Sequence, residues 1–485
     1  MSTTTSAERA GAGSSAPAYS TRRQWAVLAV VLAVEVMDLL DTTIINVAAP
    51  TIRAELHANY TAVQWFAAGY TLAFAVMLIT AGRLGDLVGR RRMFVLGAAG
   101  FTITSVLCAF AQSPDMLIST RVLQGVFGAV MIPQGFGVIK EVFPPERLAA
   151  AFGVFGPVIG LAAVCGPIVA GSLIDADLFG TGWRMIFLIN LPLGLVAVFG
   201  ALRFMPANRP ARGERLDVPG TLLVVAAAVL LIFPLVQGRE LDWPLWTLAM
   251  LVAAVPVLAA FVAYERRRPR SPLVELALFG RRAFAAGLIV ITVFFGALSG
   301  LMLVFGLYLQ VGLGYTPLHA GLTFAPWAFG IAVGAALAGI WLANRYGRRT
   351  VHGGLILVLL GLGWLALTIR DRGAEVSTPW LTPALLVSGV GIGLALSPLF
   401  SIILNGVRDP EVGSASGVLN AMQQFGGAAG VAVLGTVFFS LLGSQVTPAH
   451  YSSVIQWTLL LTGALMVATF ALAFLLPREA RLDVE

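Results

Sequence analysis

Three acidic side chains lie inside the first hydrophobic segment of the chain: Glu35, Asp38 and Asp41, within VLAVEVMDLLDTTIINVAAP. Their i, i+3, i+6 spacing places them along one side of a helix, within roughly 9 Å of rise. A carboxylate at the centre of a bilayer helix costs ~2.5–3.5 kcal/mol on insertion scales, and such residues usually carry protons or hold a cation. We therefore interpret the three acids as proton-binding residues of a transporter. The alternative is a structural ion pair that orients the first helix.

Arg121 is the one basic residue that falls inside a predicted membrane span. An unpaired guanidinium there would be expensive, so a partner is expected, and the acids of the first helix are the candidates. Arg121 is therefore a candidate for a functional role, and the family resemblance described below implies that this role is proton coupling. The alternative is an arginine that is capped by backbone carbonyls.

The composition is that of an all-α integral membrane protein. Of 485 residues, 58% are hydrophobic and 11% are charged, whereas a soluble domain carries about 25% charged residues. The two cysteines, Cys108 and Cys165, imply no disulfide framework, and no Cys/His spacing suited to a metal occurs. We predict no metal and no cofactor. No small-residue cleavage site of a signal peptide follows the first hydrophobic segment, so this segment is expected to remain as a span after the Ser/Thr/Ala/Gly-rich stretch 1–23.

Fourteen apolar segments, from about 25–48 to 453–476, are long enough to cross a bilayer. With the amino terminus placed inside, 25 of the 31 basic residues fall on the cytoplasmic side and five fall outside. This bias is the positive-inside pattern. It predicts a multi-pass protein of the cytoplasmic (inner) cell membrane with both termini in the cytoplasm, and it argues against nucleic acid as the reason for the net charge of +7.

A weak internal repeat divides the chain. LGDLVGRR (84–91) follows the second span, and LANRYGRR (342–349) occupies the matching place if the seventh and eighth spans are an inserted pair. Parallel halves of this kind mark a large class of secondary transporters. The predicted organisation is a disordered cytoplasmic tail (1–23), an N-terminal six-helix half (24–204), two inserted central helices with cytoplasmic linkers (205–282), a C-terminal six-helix half (283–476) and a cytoplasmic tail (477–485).

Six stretches, in order along the chain, resemble motifs of the major facilitator superfamily and of its fourteen-helix drug:proton antiporter family. They are DTTIINVAAP (41–50), AGRLGDLVGRRR (81–92), LISTRVLQGVFGA (117–129), GLAAVCGPIVAG (160–171), WRMIFLINLPLG (183–194) and ASGVLNAMQQFGGAAGVA (415–432). The similarity runs from about Trp25 to Leu476. It implies the major facilitator fold, with two six-helix halves and two additional central helices, and multidrug or antibiotic efflux.

The resemblance assigns two motifs a role in the transport cycle. The loop between the second and third spans would form a cytoplasmic gate in which an acid faces arginines, and its residues are Gly82, Asp86, Gly89, Arg90 and Arg91. The fifth helix would carry an antiporter motif that includes Gly160, Gly166, Pro167 and Gly171. The alternatives are a positive-inside turn for the first and ordinary small-residue packing for the second. Three positions depart from the family pattern: Leu87, Ala170 and Asn344, the last of which stands where a second gate acid is expected.

Aromatic and amide side chains within the spans are candidates for a substrate cavity, since aromatic faces suit flat, cationic compounds. The candidates are Trp65, Tyr70, Tyr308, Gln310, Trp327, Asn420, Gln423 and Gln424. The alternative is that these side chains face lipid or lie in the interfacial aromatic belt.

The sequence therefore predicts proton-coupled efflux of hydrophobic, often cationic, drugs or antibiotics by alternating access, with protons as the coupling ion. The expected partners are a small hydrophobic substrate and the lipid bilayer. No phosphate-binding loop of the G-x-x-x-x-G-K-[ST] type occurs, so ATP is not the direct energy source. The resemblance implies a monomer and no enzyme activity. Alternatives are an exporter of one metabolite, lipid or siderophore, a nutrient importer, a polytopic membrane enzyme, and a membrane sensor or scaffold.

Overall fold

A computed structural model of the chain describes residues 19–207, 217–267, 276–405, 407, 412–443 and 447–477. Within these ranges the chain forms fourteen long helices: α1 (Thr21–Glu55), α2 (Tyr60–Val88), α3 (Arg90–Ala109), α4 (Pro114–Val142), α5 (Pro145–Ala176), α6 (Gly182–Phe204), α7 (Val218–Gln237), α8 (Leu245–Arg266), α9 (Arg282–Leu307), α10 (Pro317–Leu337), α11 (Arg348–Arg372), α12 (Thr378–Asn405), α13 (Val412–Leu442) and α14 (Pro448–Leu472). The tail 1–18, the segments 208–216 and 268–275 of the predicted linkers, and the tail 478–485 lie outside the described residues.

Twelve of these helices are long and apolar enough to cross a membrane by length and composition. The other two are α1, which contains the three carboxylates, and α5, of which the stretch Cys165–Ala176 is a shorter apolar helix. The all-α, multi-span fold predicted from the sequence is therefore confirmed. Its irregularities are local: α6 breaks near Ile189 into two helical pieces, and α9 continues into a π-helical turn at Tyr308–Gly312.

The helix starts and turns follow from local sequence. Asn59 begins α2 by accepting a hydrogen bond from the amide of Ala62 at 2.8 Å, as side chains at this position commonly do. The turn between α2 and α3 passes through Gly89, whose φ of 104° is open to glycine and strained for other residues. Gly347, with a φ of 50°, stands in the same place before α11. The two basic turns of the internal repeat thus have matching glycines.

The packing of α1–α6 recurs in α9–α14. α4 packs against α2 and α3, just as α12 packs against α10 and α11; α6 packs against α1 and α3, just as α14 packs against α9 and α11. Helix α7 packs against both α2 and α13, so it lies across the line where these two sets of helices meet, and α8 packs on α7. The domain boundaries given above stay a prediction.

Contacts between α1–α6 and α9–α14 occur toward the end of the bundle where α1 meets α2. Tyr60 stacks on Phe439 with ring centroids 4.4 Å apart, and Gln310 Nε2 donates a hydrogen bond of 2.8 Å to the carbonyl of Val47. The backbone amide of Leu318 donates to Asp175 at 3.3 Å, and Gly321 lies close to the carbonyl of Pro167. In this conformation the two sets of helices meet at that end, which the charge pattern predicts to be external.

Candidate functional site

The central feature of the interior is an ion pair between Arg121 on α4 and Asp41 on α1. Arg121 is fully buried and Asp41 is 2% exposed. Two further hydrogen bonds support the guanidinium, because Nε donates to the carbonyl of Phe66 at 3.0 Å and Nη1 also donates to Gln124 Oε1 at 2.8 Å. A buried ion pair is tolerable only when such additional hydrogen bonds satisfy it. Arg121 therefore has one of the three candidate acids as its partner.

A polar network holds the second oxygen of this carboxylate. Asp41 Oδ1 accepts from Gln124 Nε2 at 2.9 Å and from Asn190 Nδ2 at 3.1 Å. Asn190 also donates to Ser105 Oγ at 2.9 Å, and Ser105 donates to the carbonyl of Phe187. The network ties α1 to α3, α4 and α6, so the position of Asp41 is fixed by side chains of three other helices.

Sequence reasoning missed the three uncharged members of this network, namely Gln124, Asn190 and Ser105. Two of them carried a signal, since Gln124 and Asn190 lie inside motifs quoted above. A buried amide within an apolar span needs hydrogen-bond partners. Because α1, α4 and α6 are far apart in sequence, the sequence does not show that Gln124 and Asn190 bond Asp41 rather than another acid.

Asp38 has a separate partner in Tyr70, whose hydroxyl donates to its Oδ1. The Tyr70 ring also covers Arg121, with the guanidinium carbon 4.4 Å from the ring centroid. Tyr70 is fully buried. One aromatic side chain thus contacts both charged centres, the Asp38 carboxylate through its hydroxyl and the Arg121 cation through its face.

Glu35 lies nearest the start of α1 among the three acids. It is 8% exposed, and its Oε1 has no hydrogen-bond partner among the described residues. An unpaired carboxylate oxygen is costly to bury in its charged form. Among the three acids, Glu35 therefore has the fewest hydrogen-bond partners that would stabilise its charged form.

We expect Tyr70→Phe to weaken the Asp38 site while leaving the aromatic face over Arg121 in place. Loss of one hydrogen bond to a charged group should lower the free energy of unfolding by ~1.5–3 kcal/mol. The measurement is a double-mutant cycle with Asp38→Asn, with unfolding followed in detergent micelles. Coupling between the two positions supports the contact, whereas additive effects of the two substitutions would contradict it.

The predicted gate residues surround the turn between α2 and α3. Arg90 donates to the carbonyl of Gly137 on α4 at 3.0 Å, and Arg91 donates to the carbonyl of Leu202 on α6. Gly82 has open space where a side chain would be, and Gly89 supplies the turn. The side chain of Asp86 lies outside the described residues, so the predicted pairing of acid and arginines stays a prediction.

The predicted motif of the fifth helix lies at close helix approaches. A Cβ at Gly166 would lie 2.2 Å from Thr43 Oγ1 of α1, and one at Gly171 would lie 2.4 Å from the Cα of Leu318 on α10. Pro167 is buried, and its carbonyl faces Gly321 of α10. The surroundings of Gly160 lie outside the described residues. α5 thus approaches α1 on one side and α10 on the other.

The remaining candidates for the substrate cavity lie in different parts of the bundle. Trp65 donates a hydrogen bond to Gln237 of α7 at 3.2 Å, and Gln310 donates one to the carbonyl of Val47. The Tyr308 hydroxyl lies 3.5 Å from Ser452 Oγ, Trp327 stacks on Phe324, and three amide side chains of α13 are half-buried, namely Asn420, Gln423 and Gln424. Trp65 therefore faces α7, whereas Tyr70 contacts Asp38 and Arg121. Contact of any of them with substrate stays a prediction.

Two solved transporter structures have the same architecture as the chain. The chain aligns with a POT family transporter in complex with a thioalcohol-conjugated peptide (TM-score 0.66, 17% identity, 91% of this chain and 94% of that one). It also aligns with the human organic anion transporter MFSD10 (TM-score 0.62, 16% identity, 93% of this chain and 99% of that one). At these identities the similarity establishes the fold alone.

Relatives that match in sequence share a higher identity with the chain than these two structures do. The chain is 52% identical over 440 residues to a probable actinorhodin transporter of Streptomyces coelicolor, covering 90% of this chain and 76% of that protein. It is 33% identical to the tetracenomycin C resistance and export protein of Streptomyces glaucescens (91% and 81% covered) and 32% identical to the multidrug resistance protein Stp of Mycobacterium tuberculosis (85% and 75% covered). Residues 31–431 match the family model of the Major Facilitator Superfamily. With its helical bundle and these relatives, the chain is a membrane transporter, not an enzyme, and belongs to the Major Facilitator Superfamily.

Proposed function

We propose that the protein exports a hydrophobic small molecule of the antibiotic class across the cytoplasmic membrane in exchange for protons. The observation that carries the proposal is the buried pair of Arg121 and Asp41, with two further carboxylates on the same helix. Ionisable groups in a membrane interior mark ion and proton pathways. The names of the relatives, which refer to antibiotic export and resistance, support the direction and the class of substrate.

Protonation of Asp41 would break the pair that holds α1 to α4. The neutral carboxyl no longer balances the charge of Arg121. The packing of α1, α3, α4 and α6 around the pair is then less favourable, because a buried charge is left uncompensated. A proton at this position therefore acts on the relative positions of helices. This gives the site a means to couple proton binding to a change of conformation.

Alternating access is the second part of the proposal. The contacts described above join the two sets of helices at the end predicted to be external, through Tyr60, Gln310 and the approach of α5 to α10. Such a conformation would load substrate from the cytoplasmic side. Its counterpart would break these contacts and expose the central acids to the outside, by rocking of one half against the other.

More than one acid is useful for a cationic substrate. Exchange of one proton for one monovalent cation moves no net charge and so gains nothing from the membrane potential, which supplies ~2.3 kcal/mol per charge at 100 mV, roughly a fifty-fold gradient. Two or more protons recover that contribution. Glu35, Asp38 and Asp41 supply up to three binding sites on one helix.

A narrower function is the second candidate. The relative at 52% identity is named as a transporter of a single compound, whereas the multidrug resistance protein Stp is 32% identical. The higher identity to that relative, over 90% of the chain, favours export of one compound. In that case few members of a broad panel of drugs would be transported.

The test uses inside-out membrane vesicles that are acidified by respiration and report their internal pH through a dye. Addition of a transported compound should collapse part of the pH gradient in vesicles that contain the protein, but not in vesicles that contain Asp41→Asn. A panel of hydrophobic cationic dyes and secreted antibiotics separates the two candidates. Collapse by many compounds favours multidrug efflux, and collapse by one favours the narrow exporter. Collapse by none, with inserted protein, would contradict proton antiport of these classes.

A further inference from the structure

A groove on the outer surface of the bundle has an apolar body and a basic end. It has a volume of about 840 Å³ and lies between α3, α4 and α6. Its lining includes Leu96 and Ile103 of α3, which are 50% and 61% exposed, and Phe127 of α4. Arg91 and Arg92 line its other end. In a chain that spans the membrane, this surface faces the acyl chains of the bilayer.

The length of the groove matches one leaflet. Eleven residues separate Arg92 from Ile103, which corresponds to roughly 16 Å along a helix. Half of a hydrocarbon core of ~30 Å is about 15 Å. The groove therefore runs from the membrane surface, at the turn between α2 and α3, to about the middle of the bilayer.

The depth of the groove depends on small residues of α3. Ala99 and Gly100 line it, and a Cβ on Gly100 would lie 2.2 Å from the Phe127 ring. The backbone of α3 consequently lies directly against that ring. This leaves an aromatic floor and aliphatic walls that an extended hydrocarbon chain can fill.

The basic end is specific to the N-terminal copy of the repeated turn. Arg91 donates to the carbonyl of Leu202, which fixes one guanidinium at the mouth of the groove. Arg92 is exposed beside it. In the second copy of the turn, Arg349 corresponds to Arg91, but the buried Thr350 stands in place of Arg92. The N-terminal turn therefore carries one more cation than the second turn, and this cation lines the groove.

We propose that this groove binds one anionic phospholipid of the adjacent leaflet, with an acyl chain along Leu96, Gly100 and Ile103 and its phosphate at Arg92. The charge of the arginines is complementary to an anionic headgroup, and anionic lipids attract basic residues at the cytoplasmic surface. The turn between α2 and α3 is predicted to face that surface. The proposal is independent of the transported substrate.

The experiment is native mass spectrometry of the purified full chain in detergent, with added phosphatidylglycerol or phosphatidylcholine that carry identical acyl chains. The wild type should retain one phosphatidylglycerol in preference to phosphatidylcholine. Arg92→Gln should lower the apparent affinity for phosphatidylglycerol about fivefold. Arg349→Gln is the matched control, an exposed arginine of the other turn, and should leave the affinity unchanged.

A second variant tests the acyl chain. Ala99→Phe places a ring within the groove and should reduce retention of both lipids, and glycerophosphoglycerol, the headgroup without chains, should not displace the bound lipid. Three results would overturn the proposal: equal retention of both lipids by the wild type, an equal loss in Arg349→Gln, or displacement by the free headgroup, which would indicate a simple phosphate site. Arg92 is exposed, so Arg92→Gln is expected to fold. It therefore still tests the proposal if Ala99→Phe does not fold.

Discussion

Asp41→Asn should abolish proton-linked transport and destabilise the protein. The substitution leaves Arg121 fully buried with amides and a carbonyl around it, but without the carboxylate that pairs with it. Removal of one partner from a buried ion pair typically costs ~3–5 kcal/mol, because the remaining charge is uncompensated. The expected results are no substrate-driven collapse of the pH gradient in vesicles and a lower free energy of unfolding in micelles.

A second substitution separates the structural effect from coupling. In the double variant Asp41→Asn/Arg121→Gln neither member of the ion pair carries a charge, so most of the lost stability should return while proton-linked transport stays absent. The matched control is Glu55→Gln, which breaks the exposed pair with Arg184 and should change stability by ~0–1 kcal/mol. If the double variant recovered both stability and proton-linked transport, the pair would be only the structural anchor of α1.

Gly171→Val should prevent closure of the predicted external end. A Cβ at this position would lie 2.4 Å from the Cα of Leu318 and 2.5 Å from the carbonyl oxygen of Pro317, both backbone atoms. Backbone cannot move aside as a flexible side chain can, so α5 and α10 must separate. We expect the transport rate to fall at least tenfold while the helical bundle is retained. A tenfold change corresponds to ~1.4 kcal/mol of free energy lost from the closed conformation.

The separation can be measured with spin labels at Phe179 and Glu375, two exposed positions on the loops that follow α5 and α11. Gly171→Val should shift the distance distribution toward longer values than in the wild type. Gly363→Val is the matched control, because Gly363 has open space where a side chain would be. An unchanged distribution combined with full transport would show that the contact of α5 with α10 does not close the protein.

The span pattern could be predicted from the sequence because a bilayer imposes a simple rule. About twenty apolar residues in succession make a helix, whatever their neighbours. The last segment is predicted at about 453–476, and α14 occupies Pro448–Leu472. Helix α1 is the instructive case: its acids lower its apolar character, yet the helix continues through them to Glu55.

The site was predictable in its charges and less so in its partners. A lone arginine and three acids within spans require one another, and Arg121 does pair with Asp41. The contact of Asp38 with Tyr70 was not evident, because an aromatic residue within a span is equally compatible with a cavity, a lipid-facing surface or a polar cluster. Only the packing of α2 against α4 places that ring between Asp38 and Arg121.

The most direct test of the central claim is proton flux through the purified protein in liposomes that contain no other pump. A pH gradient is imposed, the transported compound is added, and the fluxes of compound and protons are recorded together for the wild type and Asp41→Asn. If the protein is a proton antiporter that uses Asp41, protons flow only when the compound moves in the opposite direction, and the variant moves no protons. Transport of the compound at equal rates in both proteins, without proton flux, would contradict it.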